Sequence, residues 1–169
     1  MRHHLSVLAV CALAACSGGT STSTMGSSTG PGTPSTPVVP TPPATQNFAS
    51  LLNNARAGNG AGAVSFDARL GRAAQAHAND MLANNYFSHT GLNNSSPGDR
   101  IAAQGYDWST YGENIARGQQ TEADVFRAWQ NSSGHRRNNL NPNFEDFGLA
   151  KAGTGSNKYW VLVLATEAR

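Results

Sequence analysis

A run of six consecutive apolar residues near the carboxyl end, 159–164 (YWVLVL), places the strongest constraint on the fold. A run this short that is rich in aromatic and β-branched residues is typical of a β-strand, and its lack of polar alternation indicates that both faces are covered. Residues 146–151 and 158–166 are predicted as two strands joined by a glycine-rich hairpin loop. A sheet built on these strands needs packing layers on both sides.

Helices are predicted from the first half of the same region. Residues 47–56 and 68–84 carry apolar side chains at helical spacing, and Asp67 precedes the second helix as a favourable N-cap. The segments SPGD at 96–99 and TEAD at 121–124 have the pattern of capping boxes that begin further helices. Helices early and strands late predict an α+β domain with a small antiparallel sheet between helical layers.

The first 46 residues are predicted to lie outside this domain. Residues 1–16 combine a short positive start with an apolar run too short for a bilayer span, which needs about 20 residues. The run ends Leu-Ala-Ala-Cys, which resembles a bacterial lipobox and implies cleavage before Cys16 and lipid attachment to it. The alternative is an ordinary secretory signal with an incidental cysteine. Residues 17–46 consist almost entirely of Ser, Thr, Gly and Pro, which predicts a disordered linker.

Composition limits the chemistry of the remaining domain, residues 47–169. Both cysteines, Cys11 and Cys16, precede it, so it can form no disulfide and offers no thiol nucleophile or metal ligand. It contains every acidic residue and every basic one except Arg2, which leaves a net charge near +1 with histidine neutral. That balance indicates no nucleic-acid partner. The domain has no G-x-S-x-G elbow, phosphate loop or dinucleotide fingerprint.

Three polar side chains stand beside glycine or small residues in segments expected to be loops or element ends: His89, Glu113 and His135. Rigid elements usually present reactive side chains on such loops. Two imidazoles and a carboxylate suffice for a weak divalent-metal site or for an acid–base pair. A purely structural role, in which these groups bond the backbone, is equally open. His77 lies on the apolar face of its helix and is expected to be a packed core residue.

The segments FSHTG, GENIARG and W-x-x-S-x-G-H-R-x-N-x-L-N-P-x-F-x-x-x-G together resemble the CAP superfamily, also called the SCP or pathogenesis-related-1 family. The chain is most similar to the short bacterial secreted branch of that family, over about residues 48–166. The resemblance implies a three-layer α–β–α sandwich with a central antiparallel sheet. It also implies a cleft lined by two histidines and acidic residues, which typically holds zinc in members where a metal is seen.

By this resemblance, His89 and His135 are candidate metal ligands and Glu113 is a candidate catalytic residue. Longer members carry a second glutamate at the position of Ser132, so the family's four-residue cluster is incomplete in this chain. Either acid of the pair at 145–146 is expected to lie nearby. Four residues are expected to support the cleft: Ser132, Asn114, Glu145 and Asp146.

Together these inferences predict an envelope-tethered CAP lipoprotein, anchored in a bacterial membrane through a lipid on Cys16. The uncharged Ser17 favours the outer membrane, and secretion is the alternative location. The cleft is expected to bind a small ligand, a lipid or sterol-like molecule, or a cell-wall component, with zinc or another divalent cation as candidate cofactor. The alternative function is a metal-assisted hydrolase of peptide or cell-wall substrates, with Glu113 as general base. The missing second glutamate favours binding.

Overall fold

The structure, a computed structural model, describes residues 43–169, with side chains from residue 47 onward. The predicted signal peptide lies outside the described residues, as does the predicted linker up to residue 42. Helix α1 begins at Pro43, within the last residues of the segment predicted as linker. Within the described part of the chain, no helix has the length and apolar character needed to cross a membrane.

The described residues form five helices and four strands. In chain order they are α1 Pro43–Ala57, β1 Ser65–Phe66, α2 Ala68–Asn84, α3 Pro97–Ala102, β2 Trp108–Arg117, α4 Glu122–Gln130, α5 Ser133–Leu140, β3 Asp146–Ala152 and β4 Tyr159–Glu167. A single turn of 3-10 helix, Gly155–Asn157, lies in the hairpin loop between the last two strands.

The starts of three helices follow the caps expected from the sequence. The Asp67 side chain accepts a backbone N–H of the first turn of α2. At α3, the Ser96 hydroxyl accepts from the Asp99 N–H while the Asp99 carboxylate accepts from the Ser96 N–H, which completes the predicted capping box. At α4, the Thr121 hydroxyl accepts from the Asp124 N–H at 3.1 Å. Because these signals are local, the sequence locates the helix starts well.

The strands form one sheet in the order β1-β3-β4-β2. Strand β4 pairs antiparallel with both β3 and β2, as expected for the hairpin and the central strand. Strand β1 pairs parallel with β3, so the sheet is mixed and not antiparallel throughout as predicted. Several helices separate β1 from β3 along the chain, so no hairpin imposes the opposite direction on this pair.

Both faces of β4 are covered, which confirms the α+β sandwich predicted from its apolar sequence. One set of its side chains, including Val161 and Val163, packs in a core with Leu70 and other residues of α2. The alternate set, including Leu162, packs in a second core with Phe48 of α1 and residues of α4. The two cores therefore lie on opposite sides of a single sheet, between helical layers.

Two elements that carry candidate site residues were not expected. Glu113 was expected in a loop or at the end of an element, whereas β2 begins at Trp108 and places Glu113 within a strand. His135 was expected in a turn, whereas it lies in the first turn of α5. Both segments are too polar to show an apolar period, and contacts with distant residues stabilise them instead.

Candidate functional site

The candidate site lies along β2, the last strand of the described sheet order. His89 approaches from the loop after α2, on the side of the sheet covered by α2 and α3, and His135 approaches from α5 on the opposite side. Burial lowers the pKa of His135, and the charge of His89 lowers it further.

Glu113 is the centre of the hydrogen bonds at this site. Its side chain is only 2% exposed, and its Oε1 accepts from Nδ1 of His89 at 2.8 Å. Its Oε2 accepts from Nη2 of Arg100 at 2.8 Å. Because an ionised carboxylate can only accept, Nδ1 of His89 carries the proton of this hydrogen bond, and in the neutral form of the ring Nε2 keeps its lone pair. Half of the His89 side chain, 51%, is exposed.

The backbone on both sides of this imidazole is held in place. Arg100 donates from Nη2 to the carbonyl oxygen of His89 at 2.9 Å and from Nη1 to that of Ser95 at 2.9 Å. Nε2 of His77 donates to the carbonyl oxygen of Ser88 at 2.8 Å. Burial lowers the pKa of His77, which favours its neutral form, and its prediction as a packed core residue is confirmed. Helices α2 and α3 therefore hold the His89 loop.

A network of asparagines fixes helix α5 to strand β2. The Asn114 amide donates to the backbone carbonyl of His135 at 3.1 Å and to Oδ1 of Asn139 at 2.9 Å. The Asn138 amide donates to the Oδ1 of Asn114 at 2.8 Å and to the carbonyl oxygen of Glu113 at 3.2 Å. Glu113 and Asn114 are neighbours on β2 and point to opposite faces of the sheet. The Glu113 side chain bonds the His89 imidazole on one face, and the Asn114 side chain bonds the α5 backbone at His135 on the other.

The other predicted supporting residues have different contacts. Ser132 is the N-cap of α5, but its side chain makes no capping hydrogen bond. Glu145 pairs with Arg169 at 3.0 Å, and Asp146 accepts from the hydroxyl of Tyr106 at 2.8 Å. Strand β4 lies between these acids on β3 and the site on β2. The expectation that one of them supplies an acid beside the histidines is not supported by their placement.

His89 and His135 have the chemistry of metal ligands, and a site built on them would have two protein ligands. No cluster of three histidine, cysteine or acidic side chains that could hold a metal ion occurs in the described part of the chain. Each oxygen of Glu113 already accepts one hydrogen bond, one of them from His89, so this carboxylate orients the imidazole. Two imidazoles with solvent in the remaining positions suit a divalent cation such as zinc, and a carboxylate behind one imidazole is a frequent partner in such sites.

Sequence reasoning predicted Asn114 but missed Arg100 and two other asparagines of the site, Asn138 and Asn139. Arg100 lies in the short helix α3 and has no local mark of function, but a buried carboxylate requires a counter-charge. That requirement is the signal that could have prompted a search for an arginine near Glu113. Asn138 and Asn139 lie in a polar segment whose helical form depends on tertiary contacts, so no local signal identifies them.

Comparison with known proteins decides the family. The model of the CAP, or cysteine-rich secretory protein, family matches residues 49–164, which is more than half of the chain. This chain belongs to the CAP family. The residues at the cleft of this CAP domain, from His89 to His135, all lie within the matched range. The family predicted from FSHTG, GENIARG and the SGHR segment is therefore confirmed.

Two curated relatives are similar over the CAP domain. The chain is 42% identical over 106 residues to the uncharacterized protein YkwD of Bacillus subtilis (strain 168), a match that covers 63% of this chain and 41% of YkwD. It is 33% identical over 99 residues to the uncharacterized membrane protein YlbC of the same organism, covering 59% of this chain and 29% of YlbC. This chain thus spans less than half the length of either relative.

Solved structures share the fold. A SCP-domain extracellular protein of Bacillus anthracis has a TM-score of 0.66 at 29% identity, covering 72% of this chain and 40% of that one. An outer surface protein of Borrelia burgdorferi has a TM-score of 0.69 at 21% identity, covering 77% of this chain and 97% of that one. The second likeness concerns the fold of the CAP domain alone.

Proposed function

We propose that this protein is an envelope-tethered CAP lipoprotein that binds a small ligand, a lipid or a cell-envelope component in the cleft along β2. The observation that supports this proposal is the bonding of Glu113, whose two oxygens are both engaged with other residues. A hydrolase that uses Glu113 as general base needs this carboxylate to take up a proton, which the adjacent Arg100 guanidinium disfavours. Ligand binding needs only the exposed imidazole that this carboxylate holds in place.

Within this proposal, His89 and His135 hold a divalent cation, zinc being the candidate. Such a cation supplies a Lewis acid for an oxygen or nitrogen atom of the ligand. The protein's contribution is the orientation of His89: Glu113 keeps the proton on Nδ1 and thereby leaves Nε2 available as a donor atom. Burial lowers the pKa of His135, so its ring stays neutral and able to ligate at neutral pH.

Zinc titration of the purified protein tests the metal proposal. We expect saturable zinc binding that disappears when His89 and His135 are both replaced by alanine, and that weakens in each single variant. Isothermal titration calorimetry measures the affinity, and circular dichroism verifies that each variant is folded. Glu145→Gln is the matched control, because it changes an exposed carboxylate paired with Arg169 and is expected to leave zinc binding unchanged. Equal zinc affinity in the double variant and the parent protein contradicts the proposal.

The proposed location draws on the sequence and on two relatives. The apolar run ending in Leu-Ala-Ala-Cys supports lipid attachment at Cys16. YlbC is described as a membrane protein and the Bacillus anthracis homologue as extracellular, which supports a place at or outside the membrane. The outer membrane is the proposed site of anchoring because Ser17 carries no charge.

Replacing Cys16 by serine is expected to abolish incorporation of labelled palmitate and to move the protein out of the detergent-rich phase in a Triton X-114 partition. The reason is that no other residue supplies the thioether for the lipid in a lipobox. Cys11→Ser is the matched control, because it removes the chain's other cysteine from within the apolar run. If Cys16→Ser retains the label, the lipid anchor proposed here is wrong.

A further inference from the structure

A groove with a volume of about 480 Å³ lies between α2 and α3 and adjoins the His89 loop, since Arg100 and His77 line the groove and also bond that loop. Its apolar wall includes Leu92, which is 63% exposed and is among the few large apolar side chains left open to solvent among the described residues. Six of its lining residues matter here: Ala73, Ala76, His77, Asp80, Leu92 and Arg100. A groove of this size suits a ligand with an apolar body and one or two polar contacts.

The charge in this groove comes from Asp80. One carboxylate oxygen accepts from the amide of Asn84 at 2.7 Å, and the other accepts from the hydroxyl of Tyr86. Both partners are neutral, and no ion pair involves Asp80 among the described residues. Burial and the Asp80 carboxylate raise the pKa of Tyr86 to about 12, which keeps its hydroxyl protonated as a donor.

Neighbouring groups do not neutralise this carboxylate. The Arg100 guanidinium is committed to Glu113. Arg72 donates to the side chain of Gln104 at 3.1 Å. Arg72 also precedes Asp80 by eight residues on α2, so the two lie about 12 Å apart along the helix axis. These contacts leave the Asp80 carboxylate without an ion-pair partner among the described residues, so it is available to a cationic ligand.

The hydrogen-bonding groups on the same wall also favour a donor. His77 donates from Nε2 to a backbone carbonyl, so Nδ1 of its neutral ring is an acceptor. That Nδ1 atom is buried and has no hydrogen-bond partner. Asp80 and His77 lie three residues apart on α2 and so share a face of the helix. The acceptor that this wall offers to a ligand is therefore the Asp80 carboxylate, with the buried Nδ1 of His77 on the same face of the helix.

We propose that the α2–α3 groove is a binding site for a small organic cation. The ammonium group pairs with the Asp80 carboxylate, and the apolar body lies against Ala73, Ala76 and Leu92. An ammonium group carries three donors and a positive charge, which match the unpaired carboxylate. A neutral analogue of the same shape lacks the charge, and an anionic one is repelled by Asp80.

Titration of the full-length protein with three matched probes tests this site. 2-Phenylethylamine supplies the cation, 2-phenylethanol the neutral analogue and 3-phenylpropanoate the anion. We expect only the amine to give saturable amide shifts in residues of α2 and α3 by nuclear magnetic resonance. Asp80→Asn should weaken amine binding by roughly tenfold or more, because a charge-assisted hydrogen bond is lost. Glu145→Gln, the matched change at a distant exposed carboxylate, should leave it unchanged.

A second variant separates loss of the site from loss of the fold. Ala76 is exposed on α2 at the groove wall, so Ala76→Phe is expected to fill the groove and abolish amine binding while the protein stays folded. Zinc binding at His89 and His135 should persist in this variant, so failure of the groove proposal is distinguishable from failure of the proposed function. Equal binding of amine and alcohol, preferential binding of the anion, or full amine affinity in Asp80→Asn would overturn the proposal.

Discussion

Replacing Arg56 with methionine is expected to lower the free energy of unfolding by at least about 4 kcal/mol. The guanidinium is fully buried and donates to four backbone carbonyl oxygens. The distances are 2.6 Å to Gly62, 2.9 Å to Asn139, 3.0 Å to Asn141 and 3.0 Å to Phe144. Methionine fills a similar volume but removes all four donors, and each buried acceptor left unsatisfied, as at Asn139 and Phe144, costs about 1–3 kcal/mol.

The consequence of Arg56→Met extends to the cleft, because three of the four carbonyls lie at or just beyond the end of α5, the helix that carries His135. We expect the melting temperature to fall by about 10 °C or more. Differential scanning calorimetry measures this, with Arg127→Met as the matched control. Arg127 is 70% exposed and pairs only with Asp124 on its own helix, so its loss should cost no more than about 0.5 kcal/mol. Similar melting temperatures in both variants contradict this account.

Replacing Glu113 with glutamine is expected to reverse the tautomer of His89 and weaken zinc binding by about 10–100-fold. A glutamine oxygen can accept from Arg100, but its NH₂ group then faces Nδ1 of His89. Nδ1 must become the acceptor, so the ring proton moves to Nε2 and occupies the atom proposed as metal ligand. Nitrogen chemical shifts of labelled histidine distinguish the two tautomers directly.

The same substitution should also lower the free energy of unfolding by about 2–4 kcal/mol, because the Arg100 guanidinium loses its counter-charge. The Arg100 side chain is 12% exposed, which is why the expected cost is below that of a fully buried charge. Measuring the His89 tautomer and the zinc affinity distinguishes a positioning role of Glu113 from a purely structural one. A stable fold with reversed tautomer and weak zinc binding supports the binding proposal. Loss of stability with an unchanged tautomer shows that Glu113 only connects α3 to the sheet.

Turnover measured on the same variant addresses the hydrolase alternative. Any hydrolysis of peptides or peptidoglycan fragments by the parent protein that vanishes in Glu113→Gln would favour a catalytic role for this carboxylate. Because both oxygens are bonded in the structure, we expect no such turnover. Glu145→Gln again serves as control, since its exposed carboxylate pairs with Arg169 and not with the histidines.

Local signals in the chain predicted those elements whose stability is local. Asp67, Ser96 and Thr121 cap three helices as expected, since a cap involves residues only two or three positions apart. Strand β2 was missed because Glu113 and Asn114 interrupt its apolar pattern. Each of these polar side chains is buried only because α3 or α5 supplies a partner more than ten positions away. Local sequence patterns do not identify partners that lie so far away along the chain.

By itself the sequence determined the family and the double-sided cover of β4, and it identified His89, Glu113 and His135 as candidate site residues. The apolar pattern, the helix caps and the characteristic segments are local features of the sequence, so they can be recognised without coordinates. Only the tertiary structure decided that Glu113 binds His89 and Arg100 together, that Glu145 and Asp146 lie elsewhere, and that Asp80 is left without a cation. Those outcomes depend on which distant side chains the packing of α2, α3 and α5 brings within hydrogen-bond reach of the sheet.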